Sequence, residues 1–315
     1  MLLQSPRSGR FAGLLGLGLV ACAPSPPPPN ETEPPAAAPA DATPSGAPAP
    51  EPTPAPAPTP APPSIVHPGC FLLLDLAEST PLEAGEQPCD ERTTPASTFK
   101  IPHALIALDT GVVGDPEAER KWDGTRYPHM GTWERDHSLR SAIYESVVWF
   151  FMGTAREIGR ERMQEYLRAF DYGNTSVEEP IDRFWLEGGS LKVSPQEQLR
   201  FLAALYRDQL PRGQSKVPTL RELLVRPPSS FEGRLPDDVQ VPPIDPAATF
   251  SAKTGTDGHG EGSVTWLVGH VACPDRQLVF VSRVISDDPP GRTSPATAHG
   301  LAALHELGVL RCTGP

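Results

Sequence analysis

Eighteen of the 41 prolines in this 315-residue chain fall between Ala23 and Pro63, and a packed core cannot be built from a stretch so poor in backbone donors and apolar side chains. From Pro48 to Pro60 proline alternates with Ala, Thr and Glu, which favours polyproline II geometry. At about 3 Å of rise per residue the stretch would span on the order of 100 Å as a tether. Folding is therefore expected from the 252 residues of 64–315, enough for one substantial core.

Of the formal charge of -12, Arg7 and Arg10 contribute +2 and the tract Ala23 to Pro63 contributes -4, leaving -10 on the remainder. That balance, without a dense Lys/Arg cluster, argues against a nucleic-acid partner. Monomer and homodimer both remain open. Two arginines followed by the apolar run Phe11 to Val20 read as an export signal over residues 1–21. Beyond residue 20 no apolar run reaches membrane-spanning length.

Export makes disulfides chemically reasonable. If Cys22 belongs to the leader junction, then Cys70, Cys89, Cys273 and Cys312 remain, with three possible pairings. Cys70 to Leu76 and Gln87 to Thr93 are strand-like, and a hairpin between them would bring Cys70 to Cys89. Cys273 to Cys312 would then be the second bridge, and buried free thiols are the alternative.

Along the folded part, apolar residues at three- and four-residue steps predict a one-faced helix over Ile101 to Val113 and a long helix over Ser146 to Phe170. Ser194 and Pro195 open a third helix, Pro195 to Arg207. Ser263 to Ala272 and Leu278 to Ile285 alternate as antiparallel strands, and Thr297 to Leu307 closes the chain as a helix. The expected class is α+β: an antiparallel sheet pairing the two ends of the domain, flanked by helices, with an adjoining helical region. Arg226 to Pro246, rich in proline, reads as a surface excursion.

Three short motifs carry chemistry. Ser97-Thr98-Phe99-Lys100 places a hydroxyl and an amine on one face of a helical turn. Most Ser-x-x-Lys pairs are solvated surface, but here Phe99, Ile101 and Pro102 flank the lysine. Burial matters because serine needs a base, and desolvation lowers a lysine pKa until its lone pair is free. Pro102 cannot sit deep in a helix, so Ser97 to Lys100 is expected in a tight first turn. Lys253-Thr254-Gly255, set just before the strand region, suits a carboxylate with an ammonium, a hydroxyl and a glycine, and is otherwise a polar turn before a hairpin. Ser146-Val147-Val148 offers a third hydroxyl, which is otherwise a helix N-cap.

At these residues the chain resembles the class D (oxacillinase-type) serine β-lactamases, within the wider family of penicillin-recognising serine enzymes. The resemblance runs from about Gly69 to Val309. It rests on Pro95-Ala-Ser-Thr-Phe-Lys-Ile-Pro102, Ala107 to Val113, Trp133-Glu-Arg-Asp136, Ala155 to Gly159, Phe170-Asp-Tyr-Gly-Asn174 and Asp182-Arg-Phe-Trp-Leu-Glu-Gly188. It implies hydrolysis of penicillin-type antibiotics, with Ser97 as nucleophile and Lys100 as an N-carboxylated base. Apart from carbon dioxide or bicarbonate for that carboxylation, no cofactor or metal is implied. Trp185 would donate to the carbamate and Val148 would keep it dry. Ser146 and Lys253 would pass a proton to the leaving nitrogen. Lys253, Thr254 and Gly255 would hold the substrate carboxylate, and the backbone N–H groups of Ser97 and Thr256 would form the oxyanion hole. A further arginine follows the last strands in the family, and Arg292 is the nearest match.

Leu19-Val20-Ala21-Cys22 likewise resembles a bacterial lipobox, implying cleavage before Cys22, its lipidation, and a periplasmic domain anchored to the membrane by residues 22–63. A penicillin-sensing module, or a peptidoglycan transpeptidase or carboxypeptidase that deacylates slowly, shares the serine and both lysines. The last two usually carry Asn where Val148 stands.

Overall fold

The computed structural model describes residues 66–312, except 238. The expected leader, the lipidation site Cys22 and the linker 22–63 lie outside the described residues. The first strand, β1 (Cys70–Asp75), is followed by β2 (Leu82–Gly85) and by a 3-10 turn, Ala96–Phe99, that runs straight into α1 (Lys100–Asp109). A helical region follows, with α2 (Leu139–Tyr144), α3 (Val148–Ile158), α4 (Arg160–Ala169), α5 (Pro195–Tyr206) and α6 (Val217–Leu224). The chain returns to the sheet as β3 (Thr249–His259), β4 (Gly262–Ala272) and β5 (Gln277–Ser286), and ends in α7 (Pro295–Glu306).

The five strands form one antiparallel sheet in the order β2-β1-β5-β4-β3, so the two ends of the domain pair through β1 and β5. This is the α+β class expected. Side chains alternate between faces along a strand, and both faces of this sheet are buried. Leu72 and Leu74 of β1, Val279 and Val281 of β5, and Val264, Trp266 and Val268 of β4 pack in a core shared with α1, α3 and α5. Phe71, Leu73, Leu278, Phe280, Leu267 and Val271 face the opposite way, against Leu301 and Leu304 of α7.

Several expectations are corrected. Gln87 to Thr93 is not a strand, because β2 already occupies that side of β1. The segment is held instead by the buried Arg283, whose guanidinium donates to the carbonyls of Pro88 and Glu91. The Cys70–Cys89 disulfide is present all the same, tying β1 to this loop, and Cys273–Cys312 is the second bridge. The helix over Ser146 to Phe170 is two helices, broken at Gly159, whose φ of 81° is a conformation that suits glycine. The Lys253 motif sits within β3 rather than just before the strand region. The proline-rich excursion is anchored, with Phe231 and Leu235 buried in the α7-side core.

Helix α1 is not one-faced. Every residue from Lys100 to Leu108 is buried, so this helix runs through the middle of the domain with no solvated stripe. Pro102 is tolerated because it lies in the first turn, where backbone N–H groups lack intrahelical acceptors anyway.

The start of α5 is set by a capping box. Ser194 accepts from the Glu197 N–H at 3.3 Å, and the Glu197 carboxylate accepts from the Ser194 N–H at 2.9 Å. Ser194→Ala should lower the unfolding free energy by about 1 kcal/mol, read from the urea midpoint at unchanged slope. An unshifted midpoint would show that the box contributes nothing.

Candidate active site

The 3-10 turn Ala96–Phe99 lies against β3, and glycine at position 255 eases this close approach. A Cβ at Gly255 would stand 3.1 Å from the Pro95 carbonyl oxygen and 3.2 Å from the Thr98 methyl. The turn is held from beneath by a buried relay. The Tyr172 hydroxyl donates to Gln198 at 3.0 Å, the Gln198 amide donates to the Thr98 hydroxyl at 2.5 Å, and that hydroxyl donates to the Pro95 carbonyl at 2.6 Å.

The register of the sheet aims the second lysine. Lys253 pairs with Val268, Val268 with Val281, and Val281 with Leu72, so the lysine stands in the same cross-strand row as core residues on the helical face. It is buried and donates to the Ser146 hydroxyl at 3.0 Å and to the Thr254 carbonyl at 3.0 Å. Ser146 is in the short link between α2 and α3, where it has a left-handed φ of 61°, and Val147 rather than Ser146 caps α3. Ala96, beside Ser97, has a φ of 49°. Left-handed conformations cost a non-glycine residue about 1–2 kcal/mol, and these two flank or carry the cleft hydroxyls.

Lys100 donates its amine to the Ser97 hydroxyl at 2.7 Å. Its Nζ lies 5.5 Å from the centroid of the Phe151 ring, and burial lowers its pKa to about 7, with Asp257 opposing the shift. His103, one turn along α1, stays neutral because burial and then Lys100 push its pKa down to about 3. Its ring contacts Phe151 at 5.1 Å and Trp185 at 5.3 Å. Trp185 is fully buried, and among the described residues its indole N–H has no hydrogen-bond partner. Lys253 is also held well below the usual lysine range, by burial first and then by the charges of Lys100, Arg226 and Arg234.

Lys100, Trp185 and Lys253 lie behind the lining of a cleft of about 380 Å³, which the two lysines reach through the Ser97 and Ser146 hydroxyls. Ser97, Ser146, Val148, Thr254, Gly255 and Thr256 all line it. Arg292 does not. It is 73% exposed with Asp237 at 3.7 Å, although its neighbour Gly291 reaches the rim. Arg234 lines the cleft instead, as do Arg183, Glu187 and Asp257, none of which was given a role from the sequence, although Arg183 and Glu187 fall inside the Asp182 to Gly188 motif. Burial raises the Asp257 carboxyl, and Glu187 adds to the effect. The only available signal was their closeness in sequence to the Trp185 and Lys253 motifs. Arg234 lacked even that, since a proline-rich stretch separates it from Lys253.

A family model for the penicillin binding protein transpeptidase domain matches residues 69–302. The probable β-lactamase YbxI of Bacillus subtilis (strain 168) is 33% identical over 216 residues, covering 69% of this chain and 74% of that protein. β-Lactamase OXA-5 of Pseudomonas aeruginosa is 41% identical over 209 residues, covering 64% of this chain and 72% of the relative. A crystal structure of a class D β-lactamase from Bacillus subtilis is similar with a TM-score of 0.64 at 30% identity, covering 76% of this chain and 92% of the other.

The buried amine has a measurable signature. The Lys100 pKa is lower in the folded chain, about 7 against an ordinary 10.5, so between those values the unfolded chain binds one more proton. Folded-state stability then rises with pH across that window. In buffer free of carbon dioxide, the stability of the wild type relative to Lys100→Met should climb by up to about 1.4 kcal/mol per pH unit above pH 7. A difference that stays flat with pH would mean that the amine is hydrated.

Proposed function

This chain belongs to the penicillin binding protein transpeptidase family and, within it, to the class D β-lactamases, and from that premise we propose that it hydrolyses the β-lactam amide of penicillin-type antibiotics through an acyl-enzyme on Ser97. The observation that carries the proposal is the buried, low-pKa Lys100 amine hydrogen-bonded to the Ser97 hydroxyl.

In the acylation half, Lys100 takes the Ser97 proton as Oγ attacks the lactam carbonyl. The backbone N–H groups of Ser97 and Thr256 face the developing oxyanion, each such donor typically contributing about 3 kcal/mol. Ser146, polarised by Lys253 at 3.0 Å, passes a proton to the departing ring nitrogen. Lys253 and Thr254 hold the substrate carboxylate. In the second half a water, activated at Lys100, attacks the ester and frees Ser97.

The surroundings of Lys100 fit N-carboxylation. A neutral amine is the form that reacts with carbon dioxide, and the unpartnered indole N–H of Trp185 is a buried donor suited to an anionic oxygen. The carbamate would supply an oxygen base for both serine and water. Val148 at the cleft and Phe151 beside the amine limit hydration there. The two disulfides support an oxidising compartment, in keeping with export by residues 1–21 and a lipid anchor at Cys22.

The protein should turn over a chromogenic cephalosporin or a penicillin many times per molecule, while a single stoichiometric burst would instead indicate a sensor or a slow transpeptidase. In Lys100→Ala, intact mass during prolonged penicillin exposure should show an adduct that forms slowly and then persists. Activity lost at low pH should return on adding bicarbonate, and no response would count against carboxylation.

A further inference from the structure

We infer that Arg234, supplied by the proline-rich segment before β3, binds the substrate carboxylate in this protein in place of an arginine after the last strand; the inference rests on the β-lactam reading above. Arg234 ends the 3-10 segment Pro228–Arg234 and lines the cleft together with Ser97, Ser146 and Thr254. Its position is fixed on both sides. Phe231 and Leu235 are 1% and 2% exposed in the core under α7, and the Arg234 carbonyl accepts from the Ser294 N–H at 2.7 Å.

The guanidinium has no ion-pair partner within 4.0 Å among the described residues, whereas thirteen other cation–carboxylate contacts are made across them. Burial destabilises its charge, yet an arginine does not give up its proton. Arg226 is in the same condition a short way along the chain, its head set 4.5 Å from the rings of Tyr144 and Phe231. Both arginines depress the Lys253 amine. Glu145 offsets part of this charge without forming an ion pair with either arginine among the described residues, so Arg234 presents a cleft-lining guanidinium that an entering anion would pair. Arginine offers a planar fork that matches a carboxylate in two places, beside the Thr254 hydroxyl.

The basic residues at the end of the sheet are otherwise committed. Arg283 is buried and donates to the carbonyls of Pro88 and Glu91, and Arg292 points to solvent near Asp237. Neither lines the cleft.

The test compares a penicillin with its methyl ester, which removes the anionic charge, in the full chain and in Arg234→Ala, Arg234→Lys and Arg292→Ala. Arg234→Ala should lose about 100-fold in kcat/KM on the acid and little on the ester, as expected for truncating one partner of a buried charge pair. Arg234→Lys should recover part of the loss, and its folding also guards against a destabilised alanine variant. Arg292→Ala should stay within about twofold on both compounds, the size of a rim contact. Equal losses on acid and ester would make Arg234 merely structural, and acid-selective loss in Arg292→Ala would restore the loop arginine; either overturns the inference. A wild type that turns over neither compound removes the β-lactam reading itself, a pattern distinct from both.

Discussion

An ammonium group taken out of water without an ion-pair partner is among the least comfortable arrangements a folded chain can hold, and burial brings the Lys100 pKa down to about 7, where the proton is readily given up. That shift requires that the whole first stretch of α1 be enclosed. The sheet lies on one side, α3 brings Phe151, and the loop before α5 brings Trp185. Were the helix at the surface, water would stabilise the ammonium, and the hydrogen bond to Ser97 would join a cation to an unactivated alcohol. The long apolar core therefore sets the protonation state of the site as well as the stability of the fold.

A second lysine, Lys253, is under the same pressure of burial, and any positive charge on Lys100 pushes its pKa down further. The sheet register decides that they meet. A shift of one residue in the pairing of β3 with β4 would turn Lys253 to the α7 side and leave Ser146 without its donor. Gly255 completes the arrangement by letting the Ser97 turn lie directly on the strand. Strained backbone at Ala96 and Ser146 is the cost of presenting two hydroxyls to one space, and the Tyr172–Gln198–Thr98 relay helps to hold the first of them.

Residues that act through local spacing were readable in advance. Ser97 and Lys100 are three apart on one turn, Ser194 and Pro195 mark a helix start, and the Val- and Phe-rich runs of β4 and β5 mark strands. The hidden elements depend on competition between distant segments. Gln87 to Thr93 has strand-like composition, but β2 took the free side of β1 and Arg283 took the loop carbonyls. The break at Gly159 was concealed by apolar spacing that continues on either side of it. Phe231 and Leu235 looked like isolated residues among prolines until α7 provided a surface to receive them.

Residue types and short-range spacing were enough to mark Ser97, Lys100, Lys253 and Ser146 as candidates, and the family resemblance supplied the roles expected of them. The fold alone determined how those groups share charge: that Lys100 is enclosed on all sides, that Lys253 faces Ser146, and that Arg234 rather than Arg292 lines the cleft. Desolvation and charge coupling depend on what surrounds a side chain in three dimensions, and those surroundings come from residues tens to hundreds of positions away.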